Sequence, residues 1–239
     1  MVEGLFVTGT GTGVGKTVLA GAIAAALRAD GRPVAVHKPM LTGLDEAPRP
    51  GWPPDHELLG DAVGVEPAIV APLRFGPPIS PHLAAELAGR PVRPPELVGA
   101  ARAAGRGSFL VVEGVGGLLV PLTASFCVRD LAVALGLVVV VAASPDLGTI
   151  NHTLLTLEAA RAAGLTVGAI VLTPWPAAPS PAQRSNRETI ARLGGVDVRG
   201  LPWISEGSPG ALAHAAAALP LERWCAGAFR ARAQRGWAA

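Results

Sequence analysis

The chain has 239 residues, a formal charge of +2 and 50% hydrophobic residues, which suits one large α/β domain or two small ones with ample core material. Its arginines are scattered with no basic run, which argues against a nucleic-acid partner. Ala and Val supply most of the apolar content, and the longest apolar run, residues 131–143, is too short to span a bilayer.

Glu3 and Gly4 lead straight into a strand-like run, residues 5–8, with no secretory pattern. A glycine-rich loop and an alanine-rich helix over 16–29 follow. Further strands are expected at 34–38, 109–113, 137–143, 167–172 and 198–201. Each is short, rich in Val, Ile and Leu and mostly without polar alternation, as in a parallel sheet covered on both faces. Helices are expected at 55–63, 81–88, 94–104, 129–135, 151–163, 181–193 and 209–219. "EAPRPGWPP" and "TPWPAAPSPAQ" read as surface loops, because strand-loop-helix units continue across them. The alternation predicts a doubly wound α/β domain over 1–220, with a mostly parallel sheet of about seven strands flanked by helices. Residues 221–239 are weakly patterned and read as a partly mobile tail or a further helix. Cys127 and Cys225 suggest neither a disulfide framework nor a metal spacing. The expected setting is the cytoplasm.

Within "FVTGTGTGVGKT" the order strand, small-residue loop, helix is that of a phosphate loop. Its backbone N–H groups and the following helix N-terminus favour phosphate, Lys16 would reach the β- and γ-phosphates, and the Thr17 hydroxyl would ligate Mg²⁺. The glycines are displaced from the usual G-x-x-x-x-G-K-[ST], however: Thr10 stands where the first glycine belongs, between Gly9 and Gly11. In open α/β sheets ligands gather at the carboxyl ends of strands, and those ends carry Lys38 then Thr42, Glu113 then a glycine turn, and a polar turn entering a helix at Asn151. Asp55 opens or caps the helix after the long loop. Thr17, Asp55 and Glu113 form an oxygen set suited to Mg²⁺.

Together these residues resemble the dethiobiotin synthetase family, P-loop NTPases of biotin biosynthesis. The segments that carry the likeness are "FVTGTGTGVGKT", "HKPMLTG", "FGPPISPHLAAELAGRP", "VVEGVGGLLVPL", "DLGTINHTLLTLEAARAAGL" and "GLPWI". The family pattern G-x₅-G-K-T, one residue longer than the usual loop, accommodates Gly9 to Thr17. The resemblance implies an ATP-dependent ligase that closes the ureido ring of dethiobiotin from 7,8-diaminononanoate and CO₂ or bicarbonate, through a carbamate and a carbamic-phosphoric anhydride. Lys16 and Lys38 would be catalytic. Nucleotide would bind to Gly13, Val14, Gly15, Lys16, Thr17 and Val18, to Asp55, to Glu113, Gly114, Val115 and Gly116, and to a base pocket of Thr173, Pro174, Pro202, Trp203 and Ile204. Substrate would bind to Thr12, Lys38, Thr42 and Ser80, with Gly148, Thr149, Ile150 and Asn151 holding its carboxylate from the other subunit of a homodimer.

Two positions depart from the family pattern. Gly13 stands where many relatives carry a glutamate. Thr173-Pro174 replaces an Asn that would pair with the adenine edge, so weak discrimination among nucleoside triphosphates, or preference for a smaller base, is expected. Two rival readings are a ParA/MinD-like switch ATPase and a cobyrinate-type amidating synthetase. The first would bring an extra loop lysine and a membrane- or DNA-binding surface, and the second a glutamine amidotransferase domain. None of these features is found in the sequence.

Overall fold

Six of the Val/Ile/Leu-rich runs form strands with little polar alternation, so the sheet they build must be covered on both sides. The computed structural model describes residues 2–47 and 50–226. In chain order the elements are β1 (Gly4–Gly9), α1 (Lys16–Ala29), β2 (Val34–His37), β3 (Met40–Leu41), α2 (Asp55–Val63), α3 (Pro67–Val70), β4 (Leu73–Arg74), α4 (Pro81–Leu87), α5 (Pro94–Ala104), β5 (Phe109–Glu113), β6 (Pro121–Thr123), β7 (Phe126–Cys127), α6 (Val128–Leu135), β8 (Val138–Ala143), α7 (Thr149–Ala162), β9 (Val167–Trp175), α8 (Pro181–Gly194), β10 (Val198–Pro202) and α9 (Pro209–Ala216). The central sheet has the order β10-β9-β8-β1-β5-β2 and every pairing is parallel.

The expectation of about seven strands is corrected to six in this sheet among the described residues. The remaining strands are two to three residues long and pair as separate ribbons, β3 with β4 and β6 with β7. Beyond Phe75, whose N–H still bonds Leu41 O at 2.8 Å, Gly76, Pro77 and Pro78 supply no run of ladder donors that could extend β4.

Alternate residues of each strand face opposite layers. Leu5, Val7, Val36, Val111, Val140, Ala142 and Val171 pack with α1, α2 and α9. Phe6, Leu110, Val112, Val139, Val141, Ile170 and Leu172 pack with α4 to α8. Residues 221–226 are helical, and Leu221, Trp224 and Cys225 join the first of these cores. The part of the expected tail at 227–239 lies outside the described residues. Both cysteines are free thiols. Among the described residues no helix is long and apolar enough to cross a membrane.

This strand order places β1 between β5 and β8. The chain builds the sheet on one side of β1 first, through β2 and β5, and on the other side afterwards. Loops at the carboxyl end of β1 therefore part to opposite faces, and a crevice opens there.

Candidate active site

The glycine-rich loop leaves β1 at Gly9 and enters α1 at Lys16. A Cβ on Gly9 would lie 2.7 Å from Val14 Cγ2 and 3.0 Å from Lys16 Cγ, so only glycine lets the chain fold back this tightly. Gly13 and Gly15 are left-handed, with φ of 77° and 83°. A Cβ at Gly15 would also meet Thr173 Cγ2 at 2.8 Å. The Thr10 N–H donates to the Ala142 carbonyl at 3.0 Å, which ties the loop to β8. The turn after β5 closes against its other side: a Cβ at Gly117 would sit 3.6 Å from the Gly9 oxygen. This is ordinary van der Waals contact, and nothing in a local sequence pattern relates Gly117 to Gly9.

Four charged or hydroxyl side chains meet beside the loop. Lys38 Nζ donates to Asp55 Oδ2 at 2.5 Å, to Glu113 Oε1 at 2.7 Å and to Thr17 Oγ1 at 3.5 Å. The Thr17 hydroxyl donates to Glu113 Oε1 at 2.9 Å. Lys16 Nζ donates to the Gly11 carbonyl at 2.7 Å, across its own loop. Lys16, Lys38 and Glu113 are buried, and Glu113 Oε2 has no partner among the described residues. Asp55 stands at the exposed mouth of the group.

Burial sets the electrostatics. It holds the Lys16 ammonium below the ordinary lysine value, with Glu113 opposing. For Lys38 burial acts in the same sense, but Glu113 and Asp55 outweigh it and hold the ammonium above that value. Burial would raise Asp55, yet Lys38 keeps its carboxyl below the usual range. Glu113, wholly enclosed, is pushed upward by desolvation against the pull of Lys38.

The other expected residues fall at the same end of the sheet, with some changes. Lys38 lies one residue beyond β2, its N–H bonded to Val70 O at 2.8 Å. Asp55 opens α2, with Pro54 as the cap. Thr42 follows β3 in a segment zipped to the chain after β4 by Gly43 N–H to Pro77 O, 3.0 Å, and Asp45 N–H to Gly76 O, 2.9 Å. This draws the Thr42 segment toward the one carrying Ser80. Ser80 is the N-cap of α4, but its hydroxyl makes no capping bond. Thr12 and Gly13 are exposed, Val14 and Val18 pack on the core, and Gly114 is buried between Phe6 and Val128, with Val115 and Gly116 in the turn beyond.

The expected helix start at Asn151 is corrected: α7 begins at Thr149 with Gly148 as its left-handed cap, φ 93°. Asn151 is thus the third helical residue and exposed, and the N–H groups of Ile150 and Asn151, in the first turn, make no backbone bond among the described residues. The Thr149 hydroxyl is buried beside Thr153, 3.4 Å away. At the expected base pocket, Thr173 is buried against Gly15, Ile204 is in the core, and Pro174, Pro202 and Trp203 are exposed.

A protein-family profile described as an AAA domain matches residues 3–209. An ATP-dependent dethiobiotin synthetase BioD from Anaeromyxobacter dehalogenans (strain 2CP-1) is 49% identical over 195 residues, covering 80% of this chain and 86% of that protein. The BioD of Rhodococcus jostii (strain RHA1) is 44% identical over 223 residues, covering 92% and 93%. Among solved structures, the cell division ATPase MinD of Pyrococcus furiosus matches with a TM-score of 0.54 at 16% identity, over 95% of this chain and 97% of that one. The last likeness is one of fold.

Proposed function

The chain belongs to the dethiobiotin synthetase family, and from that premise we infer that it closes the ureido ring of dethiobiotin at the expense of ATP. One amine of 7,8-diaminononanoate takes up CO₂ and loses a proton to give a carbamate. The carbamate oxygen attacks the γ-phosphorus and displaces the nucleoside diphosphate. The second amine attacks the carbonyl of the resulting carbamic-phosphoric anhydride, the ring closes and phosphate leaves. The observation that carries this reading is the convergence of Thr17, Lys38, Asp55 and Glu113 beside the phosphate loop.

In-line phosphoryl transfer asks chiefly for charge neutralisation and positioning. Lys16 and Lys38 supply two ammonium groups for the transferring phosphoryl. Thr17, Asp55 and Glu113 fit a hard divalent cation, because all three offer oxygen and the buried Glu113 Oε2 has no partner among the described residues. Mg²⁺ held there would neutralise charge on the phosphate oxygens. Thr12, Thr42 and Ser80 supply hydroxyls for the diamine and carbamate. The free N–H groups of Ile150 and Asn151, at a helix N-terminus, suit the substrate carboxylate. Leu147 and Leu155 stand exposed on the same segment, which supports a second subunit covering it in a homodimer. Pro202 and Trp203 flank the base, and Thr173, turned onto Gly15, offers it little hydrogen bonding.

The test is mass spectrometry of a reaction with diaminononanoate, bicarbonate and each triphosphate. Dethiobiotin and phosphate should form only when all three are present. Steady triphosphate hydrolysis without diamine and bicarbonate would overturn the ligase reading in favour of a switch ATPase. In competition, ATP should be favoured over other triphosphates by less than about a hundredfold, because no paired amide reads the base edge; a larger preference removes the base-pocket reading alone.

A further inference from the structure

The three residues read above as metal ligands each turn an oxygen to one protein cation, Glu113 through Oε1 while its Oε2 stays unpartnered among the described residues. Lys38 Nζ is within hydrogen-bond reach of Asp55 Oδ2, Glu113 Oε1 and Thr17 Oγ1, at 2.5, 2.7 and 3.5 Å. An ammonium in that position and a divalent ion bonded to the same oxygens exclude each other, since Mg²⁺ needs them at about 2.0–2.1 Å. Nor does the site hold its charge without a cation. Glu113 is fully enclosed, and with no cation beside it the carboxylate must either stay uncompensated or take up a proton. Lys38 has the flexible four-carbon stem needed to move its charge a short way without moving the backbone.

We propose that Lys38 is the resident cation of the metal site: it fills the position between Thr17, Asp55 and Glu113 in the nucleotide-free protein and yields it to the divalent ion that enters with the triphosphate. The exchange keeps the carboxylates neutralised in both states and releases the ammonium for the phosphoryl group only when nucleotide and metal are in place. It rests on the assignment of Thr17, Asp55 and Glu113 as metal ligands. A consequence is weak metal binding to the free protein, set by competition with a tethered charge.

Mn²⁺, followed by electron paramagnetic resonance, is the probe. Without nucleotide, Lys38→Met should bind Mn²⁺ about tenfold or more tightly than the unaltered protein, because the competing charge is gone. Lys16→Met is the control for net charge, since Lys16 bonds the Gly11 carbonyl and not these oxygens; its gain should be clearly smaller. Equal gains, or none in Lys38→Met, overturn the exchange. Glu113→Gln and Asp55→Asn should weaken Mn²⁺ binding in the presence of a non-hydrolysable triphosphate. If they do not, the metal-ligand reading itself falls, and the exchange with it. Should Lys38→Met fail to fold, the unaltered protein still decides the matter. Nuclear magnetic resonance couplings from the Lys38 ammonium to the Asp55 and Glu113 carboxylates should vanish when Mg²⁺ and the non-hydrolysable triphosphate are added. Their persistence overturns the proposal.

Discussion

A lysine partly stripped of water gains more from an incoming phosphate than a hydrated one does. Lys16 is such a residue, buried at the loop and held by a single carbonyl. Lys16→Ala should lower kcat/KM for the triphosphate by about a hundredfold or more with the circular dichroism spectrum unchanged; steady-state kinetics near normal would contradict its role. His37 shows the opposite use of burial. It lies on β2 beside Val112 of β5, on the face opposite Val36, and both ring nitrogens are buried with no partner among the described residues. Burial lowers its pKa to about 4 from 6.5, so the folded protein keeps it neutral. Between those values the unfolded chain binds the extra proton. Stability therefore rises with pH across this window and is lost as pH falls from 6.5 toward 4. The contribution at the low end is about 3 kcal/mol. Denaturant titrations at several pH values should show a flatter profile for His37→Leu; parallel profiles would mean the imidazole is not held neutral.

Among the elements, the helical residues 221–226 show most clearly what packing adds to a weak sequence pattern. The sequence left open whether they are tail or helix, yet Leu221, Trp224 and Cys225 join the layer formed by α1 and α9. The Arg32–Glu222 ion pair, 2.6 Å, is largely exposed on the Glu side and contributes little; Trp224 does the anchoring. Trp224→Ala should cost about 3–5 kcal/mol in a denaturant titration. Trp224→Phe should cost much less, because the buried Nε1–H it removes has no partner among the described residues. A loss below about 1 kcal/mol for the alanine variant would show that the helix packs loosely. The turn entering α7 carries a second lesson. With Gly148 as the cap, Asn151 is exposed and not needed to start the helix. Asn151→Asp, which sets a negative charge beside the N–H groups of Ile150 and Asn151, should therefore raise the KM for the diamine substrate and leave stability and kcat nearly unchanged. A fall in kcat at constant KM would refute the carboxylate role.

At the scale of the whole molecule, the proposed homodimer makes each site from two chains: the phosphate loop of one and the turn before α7 of the other. Mixing Lys16→Ala protein with Asn151→Asp protein should then recover activity at low substrate, since one of the two sites in a mixed dimer has both intact parts. Recovery requires subunit exchange, which a tagged partner reports. An exchanged mixture with no recovery would place loop and turn in one subunit. How far such a site was legible in the sequence depends on the range of each contact. The phosphate loop, the six main strands and the charged residues that end them were readable, because strand order, loop spacing and a carboxylate terminating an apolar run are local chemical signals. The loss of a seventh strand, the ribbons β3–β4 and β6–β7, the unpartnered His37 and the approach of Gly117 to Gly9 were not, because they arise only when distant segments pack. The sequence by itself determined the parallel α/β layering and the inventory of groups for phosphoryl transfer. Only the tertiary structure decided that Lys38 bridges Asp55 and Glu113, partners 17 and 75 residues away, while Thr17 reaches Glu113 across 96. The physical reason is that the order β1-β5-β2 brings three strand ends side by side, and burial there forces their charges to share one another.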